Sequence, residues 1–392
     1  MSAPHYDIAV VGLGAMGSMA ALEGTRRGLA VIGFDRFSPP HALGSSHGLT
    51  RIIREAYAEG TGYVPLVHRA YERWAELERT SGRRLFTSTG GLMVGRPEWP
   101  LVAGALRSAV AYGLAHEELP ASELMRRFPA FRIPADFMGL FEPRAGILDP
   151  EAGIDIALGL ARQGGADLHM NEPVSSWDAG DRITIVTERG SYTADRLVLS
   201  AGAWMSTPMA QLDVPLSPTR QVMFWFRPQR NPEQFAVGRF PVFMFEWTHD
   251  RIIYGFPDQG DGFKFGIHYE GTPSDPNTVD RRVSAADENA VRPMLERFFP
   301  DAAGPAIRSA VCLYTNTQDE HFVLDRHPAD DRVVVCSACS GHGYKFAPVL
   351  GEILVDLATG TESGFDLSAF RIDRPDLRSG LAHPAHRLAR AE

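Results

Sequence analysis

Tyr6-Asp7-Ile8-Ala9-Val10-Val11-Gly12-Leu13-Gly14-Ala15-Met16-Gly17 decides how the rest of the chain is read. Ile8, Ala9, Val10 and Val11 form a short apolar run of the kind buried in a parallel sheet, and Gly12, Gly14 and Gly17 follow with GxGxxG spacing before a helical stretch. Gly12 permits a tight turn, Gly14 lets the backbone approach a pyrophosphate, and Gly17 lets the helix pack closely on the strand. The helix N-terminus then offers free N–H groups and a positive dipole end to phosphates. About twenty residues on, a second strand over 30–34 ends at Asp35, placed to accept hydrogen bonds from a ribose 2′-OH. An acid there favours FAD or NAD over NADP. A bare packing turn is the alternative reading of the glycines alone.

Outward from this motif, 392 residues exceed one simple core and imply two lobes. Apolar content of 44% and charged content of 22% are those of a globular protein, not a disordered one. No apolar run reaches the roughly 18 residues of a membrane span, and no signal-peptide pattern precedes the first strand. A cytoplasmic location is therefore expected. A net charge of −9 argues against a broad nucleic-acid surface. The three cysteines, Cys312, Cys336 and Cys339, are too few for a disulfide framework.

The loop 39–54 carries His41, His47, Arg51 and Arg54 soon after the nucleotide motif. It reads either as ordinary solvated charge or as a loop lying against a cofactor, with Arg51 and Arg54 able to face one anion. An amphipathic helix is expected over 63–79, with Val67, Tyr71, Trp74 and Leu77 at core spacing, then β character over 84–94 broken at Gly90-Gly91. Helices follow over 99–112, over 121–128 with Ser122 as N-cap, and over 150–163, while 112–149 otherwise shows little chemistry. Strands are expected over 166–170, 181–187 and 196–204, the last returning to the glycine turn. The stretch 217–269 reads as a meandering antiparallel sheet with strands over 219–226, 242–247, 252–256 and 263–269. Within it Lys264 and His268 share a face. A strand lysine between phenylalanines usually points outward; pointing inward, it is a charge in an apolar wall, which needs a function. A helix over 287–299 carries Pro293 as a kink or restart. A strand over 332–336 then leads through Ser340-Gly341-His342-Gly343-Tyr344-Lys345-Phe346 to a helix over 347–358, whose N-terminus could stabilise partial negative charge. The charged tail after Asp373 reads as a solvated end.

Taken together, the glycine turn, Pro39-Pro40-His41, the stretch 48–54 with Glu59-Gly60, Tyr254-Gly255-Phe256-Pro257, Cys312-Leu313-Tyr314-Thr315 with Asp319-Glu320, and the 340–346 motif resemble the monomeric sarcosine oxidase and N-methyltryptophan oxidase family, within the D-amino-acid-oxidase superfamily. The resemblance spans nearly the whole chain. It implies an α/β fold with an FAD-binding Rossmann-like lobe and a second lobe built on a mainly antiparallel sheet flanked by helices. The expected division is 1–80, 150–215 and 310–375 for the FAD lobe, with 81–149 and 216–309 for the substrate lobe.

The resemblance further implies FAD held covalently through its 8α-methyl group at Cys312, where a buried free thiol is the plain alternative. The implied reaction oxidises an N-methyl amino acid with O2 and water, giving the amino acid, formaldehyde and hydrogen peroxide. Arg54 and Lys345 match the family's carboxylate clamp, and Lys264 its oxygen-activating lysine. Arg51 and His47 match groups beside the flavin ring; Tyr254, Tyr314 and His268 match the substrate cavity, although His268 could equally be a core histidine. Catalytic work thus falls to Lys264, Arg51, His47 and His268. Cofactor contacts are expected from Gly12, Gly14, Gly17, Asp35, Ser45 and Arg51, and from Val174, Cys312, Gly341, Gly343 and Lys345. No metal, membrane or nucleic acid is implied, and the partners are a small amino acid and O2, with the chain a monomer. Cys336 and Cys339 read as packing residues. Two positions depart from the family: Leu49 replaces an aspartate, and Ser46 a second histidine. Other secondary or cyclic amines stay open as substrates; an NAD-dependent dehydrogenase or a non-catalytic flavin module would leave Cys312 and Lys264 without a role.

Overall fold

The computed structural model describes residues 5–378. Its first sheet has eight strands. Tyr6–Val11 lies between Val31–Asp35 and Gly190–Leu199, all parallel, with Asp167–Met170 and Asp330–Ser337 extending the parallel set on either side. The antiparallel hairpin Val174–Ala179 and Ile183–Thr187 joins the first half of Gly190–Leu199, and Val323–His327 borders Asp330–Ser337. Ile8, Val10, Val31 and Val198 bury one face under helices Ala15–Arg26, Pro150–Gln163 and Ala347–Thr359. Ala9, Ile32, Phe34 and Leu197 bury the other with Met205 and Met209. Near-continuous apolar strands are what a sheet covered on both faces requires.

The second sheet has nine strands and is antiparallel except where Val242–Thr248 runs parallel to Gly91–Gly95. Its long strand Ala306–Asn316 pairs with Ser217–Phe226, so the chain returns to the first sheet only at Val323–His327. Phe131, Phe240, Phe243, Phe263, Phe265 and Phe299 pack its inner face beneath the helix Ala285–Phe298. A small third sheet, Arg51–Ile53 with Gly146–Leu148 and Phe86–Ser88, ties the loop after the nucleotide motif to the second lobe. The break at Gly90-Gly91 thus separates strands that belong to different sheets.

Local chemistry sets the helix ends. Asp149 caps Pro150–Gln163 by accepting the Ala152 N–H, a contact that contributes about 1 kcal/mol. Three local expectations are corrected. Ser122 is no cap: the helix Ala121–Arg127 starts after Pro120, which cannot offer a side-chain acceptor. The later helix begins at Ala285 because Ser284 and Asp287 form a reciprocal capping box, and Pro293 is carried inside it without a restart. The stretch just after Asp373 is docked, not solvated: Arg374 is buried in an ion pair with Asp319 at 2.6 Å, and Leu377 is fully buried. The remainder of that tail lies outside the described residues.

Candidate active site

Between the two large sheets runs a cavity of about 810 Å³. At one end is the glycine turn, where each glycine has a distinct reason. A Cβ on Gly12, at φ +90°, would lie 2.6 Å from Ala201 Cα, and one on Gly17 would strike the Gly12 carbonyl. Gly14 instead faces open space, with nothing within 4 Å of such a Cβ. The turn therefore needs glycine for packing at two positions and leaves the third as an uncovered backbone cradle at a helix N-terminus. Asp35 lines the cavity, but its carboxylate also accepts the Leu13 and Phe37 N–H groups at 2.8 Å each, which fixes the turn to the end of the second strand.

Of the residues expected at the site, Gly12, Gly14, Asp35, Ser45, Arg51, Arg54 and Val174 line this cavity, as do Tyr254, Lys264, His268, Cys312, Tyr314, Gly341, Gly343 and Lys345. Gly17 packs behind the turn. His47 does not line the cavity: it is buried behind it, its pKa pushed down to about 3 by burial and then by Arg51 and Lys264. Ser46 and Cys339 do line it, so the expectation that Cys339 is a packing residue is corrected; Cys336 is buried but also touches the cavity wall.

Lys264 points inward. Its Nζ donates to the Gly48 carbonyl at 2.7 Å and to Thr50 Oγ1 at 2.8 Å, and it sits 5.0 Å from the Trp225 ring centroid and 4.8 Å from that of Phe256. Burial, then the Arg51 charge, holds its pKa well below that of an ordinary lysine. Cys312 is next to this group: its Sγ lies 3.4 Å from the Ser45 carbonyl and 3.8 Å from Arg51 Nη2. Burial raises the thiol's pKa, opposed by Arg51 and Lys264.

Arg54 and Lys345 form a second cationic group around one ring. The Tyr57 centroid is 4.3 Å from Arg54 Cζ and 5.2 Å from Lys345 Nζ. Arg54 is closed onto Glu59 at 2.6 and 2.8 Å, and although burial opposes both charges, each holds the other ionised. Lys345 donates to the His342 carbonyl at 2.6 Å and the Tyr57 hydroxyl at 3.3 Å; burial and then Arg54 lower its pKa to about 7. His268 pairs Nδ1 with the Tyr314 hydroxyl at 3.0 Å, leaving Nε2 buried without a partner, and burial keeps the ring neutral with a pKa of about 3.

Sequence reasoning missed Met244, Phe256 and Gln221 on the cavity wall. Each is the cross-strand partner of an expected residue: Met244 opposite Tyr254, Phe256 opposite Lys264, Gln221 opposite Cys312. Opposite residues share a face, so the register was the missing signal. Glu142 was also missed, in a stretch that seemed chemically silent. It is fully buried, accepts the Glu55 and Ala56 N–H groups at 2.6 and 2.7 Å, and is pushed up to about 7 by burial.

The residues present fit a dinucleotide. The cradle at Gly14 is open, and Ser45 Oγ, like His268 Nε2, is a buried polar atom without a partner at the cavity. Comparison with known proteins agrees. The chain is 44% identical to a monomeric sarcosine oxidase of Streptomyces avermitilis, covering 91% of this chain and 95% of that one. It is 38% identical to an N-methyl-L-tryptophan oxidase of Salmonella heidelberg, covering 94% and 99%. The solved open form of NikD, an amino acid oxidase essential for nikkomycin biosynthesis, superposes with a TM-score of 0.82 at 25% identity over 94% of this chain and 97% of that one. The family model for FAD dependent oxidoreductases matches residues 7–357, and the chain belongs to that family, DAO, as an FAD-dependent oxidoreductase.

Proposed function

We propose that this chain demethylates sarcosine or a similar small N-methyl amino acid, using O2 and water to give the amino acid, formaldehyde and hydrogen peroxide. The observation that carries this reading is the paired buried cations, Arg54 and Lys345, in the same cavity as the glycine cradle and Cys312. Glu59 balances one of the two charges, and an amino acid carboxylate supplies a second anion of the right size for an arginine fork. Met244, Tyr254, Phe256 and Tyr314 give the wall an apolar, aromatic lining suited to a small N-alkyl group. With Nδ1 engaged by Tyr314, His268 presents Nε2 to the substrate amine as a neutral group, so it does not repel the nitrogen. When bound, FAD accepts the hydride equivalent from the N-methyl carbon and passes the electrons to O2. Lys264 supplies N–H donors from a water-poor wall; in its protonated form, which burial and Arg51 disfavour, it would stabilise negative charge developing on oxygen.

We propose an FAD lobe at 1–80, 150–215 and 310–375 and a substrate lobe at 81–149 and 216–309, with the amendment that the strand Ala306–Asn316 belongs to the sheet of the substrate lobe, so that the last FAD-lobe segment starts at Val323. Cys312 is the proposed attachment point for the 8α-methyl group, with Arg51 favouring its thiolate. The chain is proposed to act as a monomer in the cytoplasm, supported by the monomeric relatives. The test starts with acid-denatured protein. Flavin absorbance that stays with the pellet, with an intact mass one FAD above the chain and lost in Cys312→Ser, supports the covalent link; FAD released freely removes it. A peroxide-coupled screen of sarcosine, N-methyltryptophan and proline then identifies the substrate, and no peroxide from any N-methyl amino acid overturns the reaction.

A further inference from the structure

Arg54 does not stand alone in its cavity wall; its guanidinium folds back onto its own segment. Nη1 donates to the Ala56 carbonyl at 2.8 Å, and the charged plane lies over the ring of Tyr57. The direction in which Arg54 points is therefore set by the peptide groups of residues 55–57. The Lys345 ammonium rests on the same segment through the Tyr57 hydroxyl. Whatever holds that segment holds Arg54 and one of the two hydrogen bonds of Lys345, the other being the 2.6 Å bond to the His342 carbonyl.

One side chain grips it from behind. Glu142 ends the strand Met138–Glu142 and is fully buried, and its two oxygens accept the consecutive N–H groups of Glu55 and Ala56. Ser108 Oγ adds a third anchor at the Tyr57 carbonyl, 2.6 Å away, but binds only one peptide group and comes from the helix side. We propose that Glu142 is the positioning residue of the carboxylate clamp: by accepting two successive amide protons it fixes the segment from which Arg54 is aimed and on which Lys345 rests. The inference depends on the reading of Arg54 and Lys345 as a carboxylate clamp.

Chemistry makes Glu142 hard to replace. A carboxylate is acceptor-only, so both oxygens suit adjacent N–H donors, whereas the amide of Gln has one acceptor and turns an NH2 group toward the second donor. That leaves one buried backbone N–H unpaired and the segment free to shift. The charged groups packed around Glu142 are Arg54 on the gripped segment and Glu55 with its ion pair to Arg144 at 2.7 Å; the neutral Tyr71 hydroxyl faces it from the neighbouring helix.

The test uses the purified holoenzyme and two variants, Glu142→Gln and Glu142→Asp. Binding of methoxyacetate, an unreactive carboxylate of similar length to sarcosine, is read from its perturbation of the flavin spectrum. Sarcosine turnover and the rate of reoxidation by O2 are measured on the same samples. Glu142→Gln is expected to weaken methoxyacetate binding and raise KM by about ten- to a hundredfold, with kcat and the O2 rate within about threefold of wild type. Glu142→Asp, which keeps two acceptor oxygens on a shorter stem, recovers part of that loss. Wild-type affinity in Glu142→Gln overturns the inference, as does an equal loss of affinity and O2 reactivity, which marks general loosening. If Glu142→Gln does not fold, Glu142→Asp decides: selective weakening supports the role and unchanged affinity removes it. A wild-type enzyme blind to methoxyacetate and to other carboxylates overturns the clamp reading and this inference with it, whereas tight wild-type binding matched by Glu142→Gln overturns the inference alone.

Discussion

The cavity holds two buried ammonium groups, Lys264 and Lys345, and its two regions support them by the same backbone device but with different electrostatics. Behind each, a carboxylate accepts successive amide protons. Glu151 takes the Gly48 and Leu49 N–H groups, at 2.6 and 3.2 Å, in the loop whose carbonyls receive Lys264; Glu142 takes those of Glu55 and Ala56 behind Arg54 and Lys345. What the loops present then differs. The Lys264 ammonium touches only dipoles and ring faces; Arg51 acts against its charge, while the carboxylates of Glu151 and Asp261 favour it without being seated on it. The Lys345 side contains Glu59, an internal carboxylate already seated on Arg54. One region thus seats no carboxylate on its cation, while the other carries a stand-in for the anion it would bind. That difference separates a group suited to stabilising transient charge from a group suited to binding stable charge.

The largest effect expected from this contrast follows removal of the Lys264 charge. Lys264→Met should slow reoxidation of the reduced enzyme by O2 about a hundred- to a thousandfold, the loss typical of one preorganised electrostatic donor. Affinity for methoxyacetate should move less than about threefold. Stopped-flow reoxidation and spectral titration read the two separately. Parallel losses in both would mean that the two regions are one electrostatic unit, and the contrast would collapse.

A smaller effect concerns protonation on the other side. Lys345 has its pKa lowered to about 7, so it is charged below that pH and neutral above it. Only the charged form attracts a carboxylate. Methoxyacetate affinity should therefore fall about tenfold for each pH unit above about 8, corresponding to about 1.4 kcal/mol per unit, while below pH 7 protonation of Glu142, itself pushed up to about 7, works against binding. Because Glu59 is the group that raises the Lys345 pKa against burial and Arg54, Glu59→Gln should move the fall to lower pH. An affinity that stays level between about pH 7 and 9 would take Lys345 out of the clamp.

These two regions were not equally legible in the sequence. The glycine turn, its strand and Asp35 form a local signal, because each residue's task depends on neighbours within one supersecondary unit. Lys264 and Lys345 could be singled out as residue types in motif context, yet whether Lys264 faced inward depended on which strand lay beside it. Strand alternation alone left both faces open. Phe256, Met244 and Gln221 became visible only with the register, and Glu142 only when its strand met the 55–57 segment, 87 and 86 residues away in sequence. The Ser284 capping box is a local signal, but apolar periodicity alone starts that helix at its first acid, Asp287. Pairing across long separations, not residue chemistry, is what the sequence withholds.

The smallest expected effect tests the loop on the Lys264 side, where Leu49 stands in place of an expected aspartate. Leu49 adopts φ 68°, in the left-handed region, and is 36% exposed. A branched apolar side chain there is strained by roughly 1–2 kcal/mol, while a short polar side chain tolerates the conformation through local hydrogen bonding. Asparagine is the better replacement because the Glu151 carboxylate already contacts the Leu49 N–H, and aspartate would add a second negative charge beside it. Leu49→Asn should stabilise the protein by about 1 kcal/mol, read as a rise of ~2 °C in Tm. The rate of reoxidation by O2 should not change, since Glu151 and Lys264 already fix the backbone on either side of this residue. A Tm gain accompanied by a slower O2 reaction would show that the strained leucine itself shapes the Lys264 pocket, and that the loop's geometry, rather than the absence of a counter-ion, distinguishes this region from the Lys345 side.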